Sequence, residues 1–318
     1  MIKTRVSSLL GVDYPIIMGG LYWLGRGKLT AAVSEAGGFG LITASSFNNK
    51  QELLDEIEVV RGLTGKPFGL NISLGYRNME EYFDAAVEAN VSAVFTSGRN
   101  PVKYIALIKE AGIAWIHVAP TIRYAFKAAE LGADAIVLTG IEAGGHPGPD
   151  DVTLMALIPK AVSLLSIPVI AAGAITNGAT FLAALALGAE GVQIGSRFIA
   201  TKECGAHPVV KELIINSDET DTIINNLKTG GRSRALKTEA VHRFLALNKK
   251  IDITANYQSS DASNSYLKVF KDGEIDKGSI TIGQGLGTIN EILTAEEVIK
   301  KIVSEAIQAN KKLNISLG

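Results

Sequence analysis

A short, almost wholly apolar run recurs eight times in the first two hundred residues: YPIIMGG (14–20), FGLITAS (39–45), PFGLNIS (67–73), VSAVFTS (91–97), IAWIHVA (113–119), DAIVLTG (134–140), IPVIAAG (167–173) and EGVQIGS (190–196). The runs do not alternate with polar residues, which is the pattern of parallel strands covered on both faces. Several follow the same punctuation, a helix-like stretch ending in Gly or Asn (SEAGG, VEAN, KEAG, AELGAD, LALGAE), and those residues suit the left-handed position that closes a helix. Helical spacing fills the gaps, as in Glu52, Leu53, Ile57, Val60 and Leu63. Eight strand–helix units repeating about every 25 residues predict an α/β protein of the TIM (β/α)8 barrel class. A doubly wound open sheet is the alternative, because linear sequence does not show closure.

After Phe198 the repeat stops. Residues 205–284 hold helix-like stretches (VVKELIIN, TEAVHRFLALNKK), a polar stretch (NYQSSDASNS) and YLKVFKDGEIDKGS. The expected organisation is a barrel built from 1–204 and 285–318, with 205–284 inserted after strand 8 as a smaller, mainly helical lid. The final TAEEVIKKIVSEAIQANKKL has an N-cap at Thr294, acidic residues in its first turn and apolar Val298, Ile302 and Ala306 on one face, so it should pack back on the barrel wall.

The overall balance narrows the ligand. With 31 basic and 32 acidic residues and a net charge of -1, the chain has no electrostatic footprint for nucleic acid or an anionic membrane. No apolar stretch reaches membrane-spanning length and the N-terminus has no signal-peptide core. Cys204 is the single cysteine, which precludes an intrachain disulfide, makes a structural zinc site improbable and fits a reducing cytoplasm. A small-molecule partner is expected, and no metal.

In a barrel of this class the working face is made by the loops that follow the strands. Here those ends are rich in glycine and small polar residues: Met18, Gly19 and Gly20 after strand 1, Asn71 in strand 3, Thr96, Ser97 and Gly98 after strand 4, Thr139 and Gly140 after strand 6. Gly173 follows strand 7, and Gly195 with Ser196 follows strand 8. Glycines after the last two strands let backbone N–H groups approach a phosphate, although each taken singly serves equally as a turn. The loop EAGGHPGPDD places His146 among glycines and prolines. With an ordinary pKa near 6.5, it is the candidate acid–base residue, with helix capping as the bland alternative. His117 inside strand 5 reads as buried and hydrogen-bonded, His207 before Pro208 as structural, and His242 as a solvated or lid residue; the three show no metal-ligand spacing. Tyr22 and Trp23 are left open between the pocket mouth, a homodimer contact and core packing. MGGLYWLGRG lacks the dinucleotide-binding glycine spacing. A phosphate site with one acid–base histidine suggests that a cofactor does the chemistry, and flavin mononucleotide (FMN) suits the shape.

DYPIIMGG, PFGLNIS, EAGGHPG, PVIAAGAI and GVQIGSRFIATKE, in this order over nearly the whole chain, resemble the FMN-dependent nitronate monooxygenase family, once called 2-nitropropane dioxygenases. That family also contains flavin enoyl-[acyl-carrier-protein] reductases and NADH:quinone reductases. The resemblance implies FMN at the C-terminal mouth of the barrel. Backbone at Met18, Gly19 and Gly20 would lie beside the ring and Asn71 at its edge, with Gly144 and Gly145 touching the flavin and Gly173, Gly195 and Ser196 at the phosphate. His146 falls on the family's catalytic histidine. The chain departs from the family at Thr139, where many relatives have an acidic residue, at Val118, where several have lysine, and at Ala174, where Gly-Gly is usual. These changes are expected to alter cofactor affinity or substrate choice.

The leading functional expectation is oxidation of alkyl nitronates with O2 to a carbonyl compound and nitrite. The alternative is an NAD(P)H-driven reductase of an enoyl thioester or a quinone, and a non-catalytic flavin-binding barrel is a third.

Overall fold

A computed structural model describes residues 1–75, 79–226, 232–250 and 259–317. Eight strands and the helices between them alternate as the repeat predicts. After α1 (Arg5–Leu10) come β1 (Ile16–Met18), α2 (Gly27–Glu35), β2 (Gly40–Thr43), α3 (Lys50–Leu63), β3 (Phe68–Leu74), α4 (Met79–Glu88) and β4 (Ala93–Gly98). Then follow α5 (Val102–Glu110), β5 (Ala114–Ala119), α6 (Ile122–Glu130), β6 (Ala135–Thr139), α7 (Leu154–Val162), β7 (Val169–Ala172), α8 (Gly178–Ala186), β8 (Gly191–Ile194) and the short α9 (Ser196–Ile199).

All eight strands form one parallel sheet in which β1 pairs with β8 and each later strand with its sequence neighbour. Closure decides between barrel and open sheet. Met18 N–H donates to Phe39 O at 2.9 Å and Phe39 N–H to Ile16 O at 2.9 Å, a parallel bridge between β1 and the residue preceding β2. The sheet is therefore a TIM-type barrel. Every residue of β1, β2 and β7 is buried, which explains the unbroken apolar runs. Gly37, Asn90, Gly112, Gly132 and Gly188, the five residues closing the repeated punctuation, all have positive φ, between 44° and 97°. That left-handed turn lets each chain leave its helix and enter the next strand within a few residues.

The segment 205–284 is mainly helical, with α10 (Pro208–Ile215), α11 (Glu239–Lys250) and α12 (Ser259–Phe270). It also contains a hairpin that sequence periodicity does not reveal, β9 (Thr222–Asn226) antiparallel to β10 (Arg232–Leu236). Of the polar stretch, residues 256–258 lie outside the described residues, and the remainder opens α12. The closing helix, α13 (Ala295–Leu317), starts as expected: Thr294 Oγ1 accepts from Glu297 N–H at 3.1 Å while the Glu297 carboxylate accepts from Thr294 N–H at 2.7 Å. Val298, Ile302 and Ala306 are buried where α13 packs on α8 and α2. No helix among the described residues is long and apolar enough to cross a membrane.

Candidate active site

The strand C-termini open into a cavity of about 800 Å³, whose outer wall comes from the 205–284 segment. That size is in the range of ligand sites. Gly19, Gly20, Asn71, Thr139, Gly144 and Gly145 line it, as do His146, Gly173, Ala174, Gly195 and Ser196. Of the residues expected at the flavin, Met18 alone is absent from the wall, its side chain fully buried in β1; Thr96, Gly98 and Gly140 at the other strand ends also lie off the cavity. Val118, expected to be a departure from the family, faces the cavity, and so does Tyr22; Trp23 instead packs half-buried against the core near Gly205.

The loop carrying His146 is shaped by what it cannot hold. A Cβ on Gly144 would lie 2.5 Å from the carbonyl carbon of Ile282 and 2.6 Å from Gly283 N, so only glycine allows this approach. The base of the loop is closed by Ile141 N–H donating to Val152 O at 2.9 Å, and Glu142 Oε1 accepts from Leu154 N–H at 3.0 Å at the start of α7. His146 is exposed to solvent at the cavity, yet protein crowds around it closely enough that desolvation lowers its pKa from 6.5. The ring is thus neutral at neutral pH and both accepts and donates a hydrogen bond.

The other histidines have structural surroundings. Trp115 Nε1–H donates to Thr96 Oγ1 at 2.8 Å, leaving the Thr96 hydroxyl hydrogen for His117 Nδ1, also at 2.8 Å. Burial pushes His117 down to about 4. His207 caps α10, its Nδ1 accepting from Val209 N–H at 3.3 Å, and His242 is exposed on α11. Among the described residues no three His, Cys, Asp or Glu side chains gather as metal ligands would.

Several wall residues escaped sequence reasoning. Ser73, next to the end of β3, has its hydroxyl 3.1 Å from that of the expected Ser97, and Thr43 Oγ1 accepts from Leu21 N–H at 3.1 Å. Gln193 projects from β8 with its Oε1 buried and unpaired; a polar residue in the middle of the apolar run EGVQIGS was a readable signal. Tyr266 and Phe244, from α12 and α11, carried none, since nothing local ties them to strands far away in sequence. Tyr266 meets the Tyr22 ring edge-on at 5.1 Å and donates to Leu21 O at 3.2 Å, joining the outer wall to the β1 loop.

Ala174 is the strained member of the set, with φ +47°. Left-handed backbone costs a non-glycine residue about 1–2 kcal/mol, so this alanine is held there by its surroundings.

The family model described as nitronate monooxygenase matches residues 3–90 and 76–305. A "probable nitronate monooxygenase" of Staphylococcus aureus is 35% identical, with 76% of this chain and 80% of that protein covered. Among solved structures, FabK from Thermotoga maritima superposes with a TM-score of 0.93 at 37% identity over 99% of each chain. A nitroalkane oxidase from Streptomyces ansochromogenes gives 0.84 at 25% identity, covering 98% of this chain and 100% of that one. With fold, cavity and sequence in agreement along most of its length, this chain belongs to the nitronate monooxygenase family.

Proposed function

We propose that the protein is an FMN-dependent oxidoreductase that oxidises alkyl nitronates with O2 to a carbonyl compound and nitrite. The observation that carries this reading is the composition of the cavity: small residues and backbone at the strand ends, with one exposed, neutral imidazole, His146, in the strand 6 loop. The residues present fit FMN. Gln193 Oε1, buried without a partner, offers an acceptor to a ring N–H. Ser196 Oγ accepts from Gly283 N–H at 3.0 Å and so keeps its own hydrogen for a phosphate oxygen beside Gly173 and Gly195. When bound, FMN supplies the electron transfer that none of these side chains performs.

In this reading His146 holds the nitro group of a nitronate, or takes the α-proton of a neutral nitroalkane, for which a ring already neutral at pH 7 is suited. On the same reading residues 205–284 act as a lid that excludes water, with Phe244 and Tyr266 lining it and Tyr22 meeting Tyr266 from the β1 loop. A cytoplasmic location is part of the same reading, supported by the single cysteine, Cys204, which suits a reducing compartment.

A second reading, NAD(P)H-driven reduction of an enoyl thioester or a quinone, is favoured by one observation: the likeness to FabK, an enoyl-ACP reductase, extends over 99% of both chains. Anaerobic stopped-flow separates the two. Flavin reduction on mixing with propyl-2-nitronate alone supports the monooxygenase, and rapid reduction by NADH or NADPH alone moves the protein to the reductases. A preparation that neither carries nor takes up FMN would sink both.

A further inference from the structure

The loop that carries His146 has little of its own to hold it in place. Between Ala143 and Asp150 it consists of three glycines, two prolines, His146 and Asp150 besides the alanine, and such a segment does not fix an imidazole by packing. The fixing groups come from β10. Arg234 N–H donates to Gly145 O at 2.7 Å and Gly145 N–H returns to Arg234 O at 3.1 Å, an antiparallel pair one residue before His146. The Arg234 side chain is 6% exposed; its Nε donates to Ile141 O at 3.1 Å and its Nη1 to Thr222 Oγ1 at 2.8 Å, tying the upstream limb of the loop to β9.

Two residues earlier on the same strand, Arg232 grips the downstream limb. Its Nη1 donates to Pro149 O at 2.8 Å, with Gly148 O at 3.5 Å, and its Nη2 donates to Asp151 Oδ1 at 2.5 Å. The Arg232 side chain is only 16% exposed while Asp151 is 81% exposed, so the carbonyl contacts rather than the ion pair carry the grip. Opposite, the loop rests on β5's exit, where a Cβ on Gly148 would meet Pro120 O at 2.3 Å. His146 is thus held on both sides by two side chains of one strand of the 205–284 segment.

We propose that Arg232 and Arg234 are positioning residues for His146, fixing the 141–151 loop so that the imidazole faces the substrate space. The proposal rests on His146 being the acid–base group. A planar fork that binds two acceptors sets an angle as well as a distance, which a lysine does not reproduce, and a misplacement of about 1 Å at a reacting group costs on the order of a hundredfold in rate.

The test uses the flavin-loaded protein and four variants, Arg232→Ala, Arg232→Lys, His146→Asn and the double variant Arg232→Ala/His146→Asn, with propyl-2-nitronate, or NADPH if that is the reductant. Arg232→Ala should lower kcat by about 10- to 100-fold with KM changed less than about threefold, and Arg232→Lys should fall between it and the parent. The double variant should be no slower than His146→Asn. In ring-labelled histidine spectra the resonance missing from His146→Asn should shift and broaden in Arg232→Lys, which keeps the charge but loses the fork. Should Arg232→Ala fail to fold, the lysine variant carries the same two readouts. A parental kcat and an unmoved His146 signal in the Arg232 variants, alongside an inactive His146→Asn, overturn the proposal and leave the catalytic reading standing. Additive losses in the double variant overturn it as well. Parental activity in His146→Asn removes the reading itself.

Discussion

The side-chain amide of Asn71 occupies the space that a side chain on Gly20 would need: a Cβ there would lie 2.3 Å from Oδ1 and 2.6 Å from the amide carbon. Asn71 is 5% exposed and projects from β3, while Gly20 lies in the loop after β1. The glycine thus lets an amide from two strands away reach the cavity wall beside the backbone proposed to flank the flavin.

Gly20→Ala should displace that amide. Losing one cofactor hydrogen bond is worth about 1 kcal/mol, close to a fivefold weaker FMN affinity. Fluorescence titration of flavin into the apo-protein measures it. Asn71→Ala should weaken binding to the same degree, and the double variant should add little; full additivity would mean that the two residues act on FMN separately.

Ala174 gives a prediction on stability. Its φ of +47° is unfavourable for alanine and free for glycine, and the relief of about 1–2 kcal/mol is partly offset by the backbone entropy glycine loses, about 0.5–1 kcal/mol. Ala174→Gly should therefore raise unfolding free energy by up to about 1 kcal/mol in denaturant titrations, and Ala174→Val should lower it. Equal midpoints for all three residues would show that this backbone is not strained.

His117 makes stability depend on pH. Its folded pKa of about 4 lies below the ordinary 6.5 because burial disfavours the charged ring. Between those values the unfolded chain binds a proton that the folded one does not. The contribution is complete above pH 6.5 and is lost as pH falls through the window to about 4, amounting to about 3 kcal/mol. His117→Gln, which still accepts from Thr96 but does not titrate, should show a shallower loss of stability between pH 7 and 4. Parallel curves for parent and variant would assign the pH dependence elsewhere. His146, also lowered by desolvation, works in the same direction.

What could be read in the sequence was what local chemistry decides. Gly37, Asn90, Gly112, Gly132 and Gly188 each announce a helix end, and runs such as DAIVLTG announce buried parallel strands, because those signals lie within a few residues of their effect. His146 could be read for the same reason, standing in a glycine-rich strand end. The β9–β10 hairpin could not. Its buried residues include Thr222, Asn225 and Arg234, and Arg234 is satisfied by Ile141 and Gly145 from the barrel and by Thr222 within the hairpin, so no apolar alternation marks the strands. Tyr266 and Gln193 divide along the same line: Gln193 is anomalous in its own strand, whereas Tyr266 gains meaning only from Leu21 and Tyr22, on the far side of the chain.

Cys204 reports on whether the 205–284 segment lifts from the barrel. The thiol is 3% exposed at the junction between β8's exit and that segment, and burial pushes it up to about 11. At pH 8 the thiolate fraction is then lower than that of a free cysteine by on the order of a hundredfold or more. Lys211 Nζ, donating to the backbone carbonyls of Thr201 and Cys204 at 2.7 Å each, fastens the turn around it. The native protein should react with a thiol-disulfide reagent at least a hundredfold more slowly than the guanidinium-unfolded chain, which should yield one thiol. If the segment closes over a ligand, adding FMN should slow the native reaction further, because labelling then requires an opening that the ligand opposes. Fast labelling with FMN bound would mean that the junction opens independently of the cavity, and the segment's role as a lid would fail.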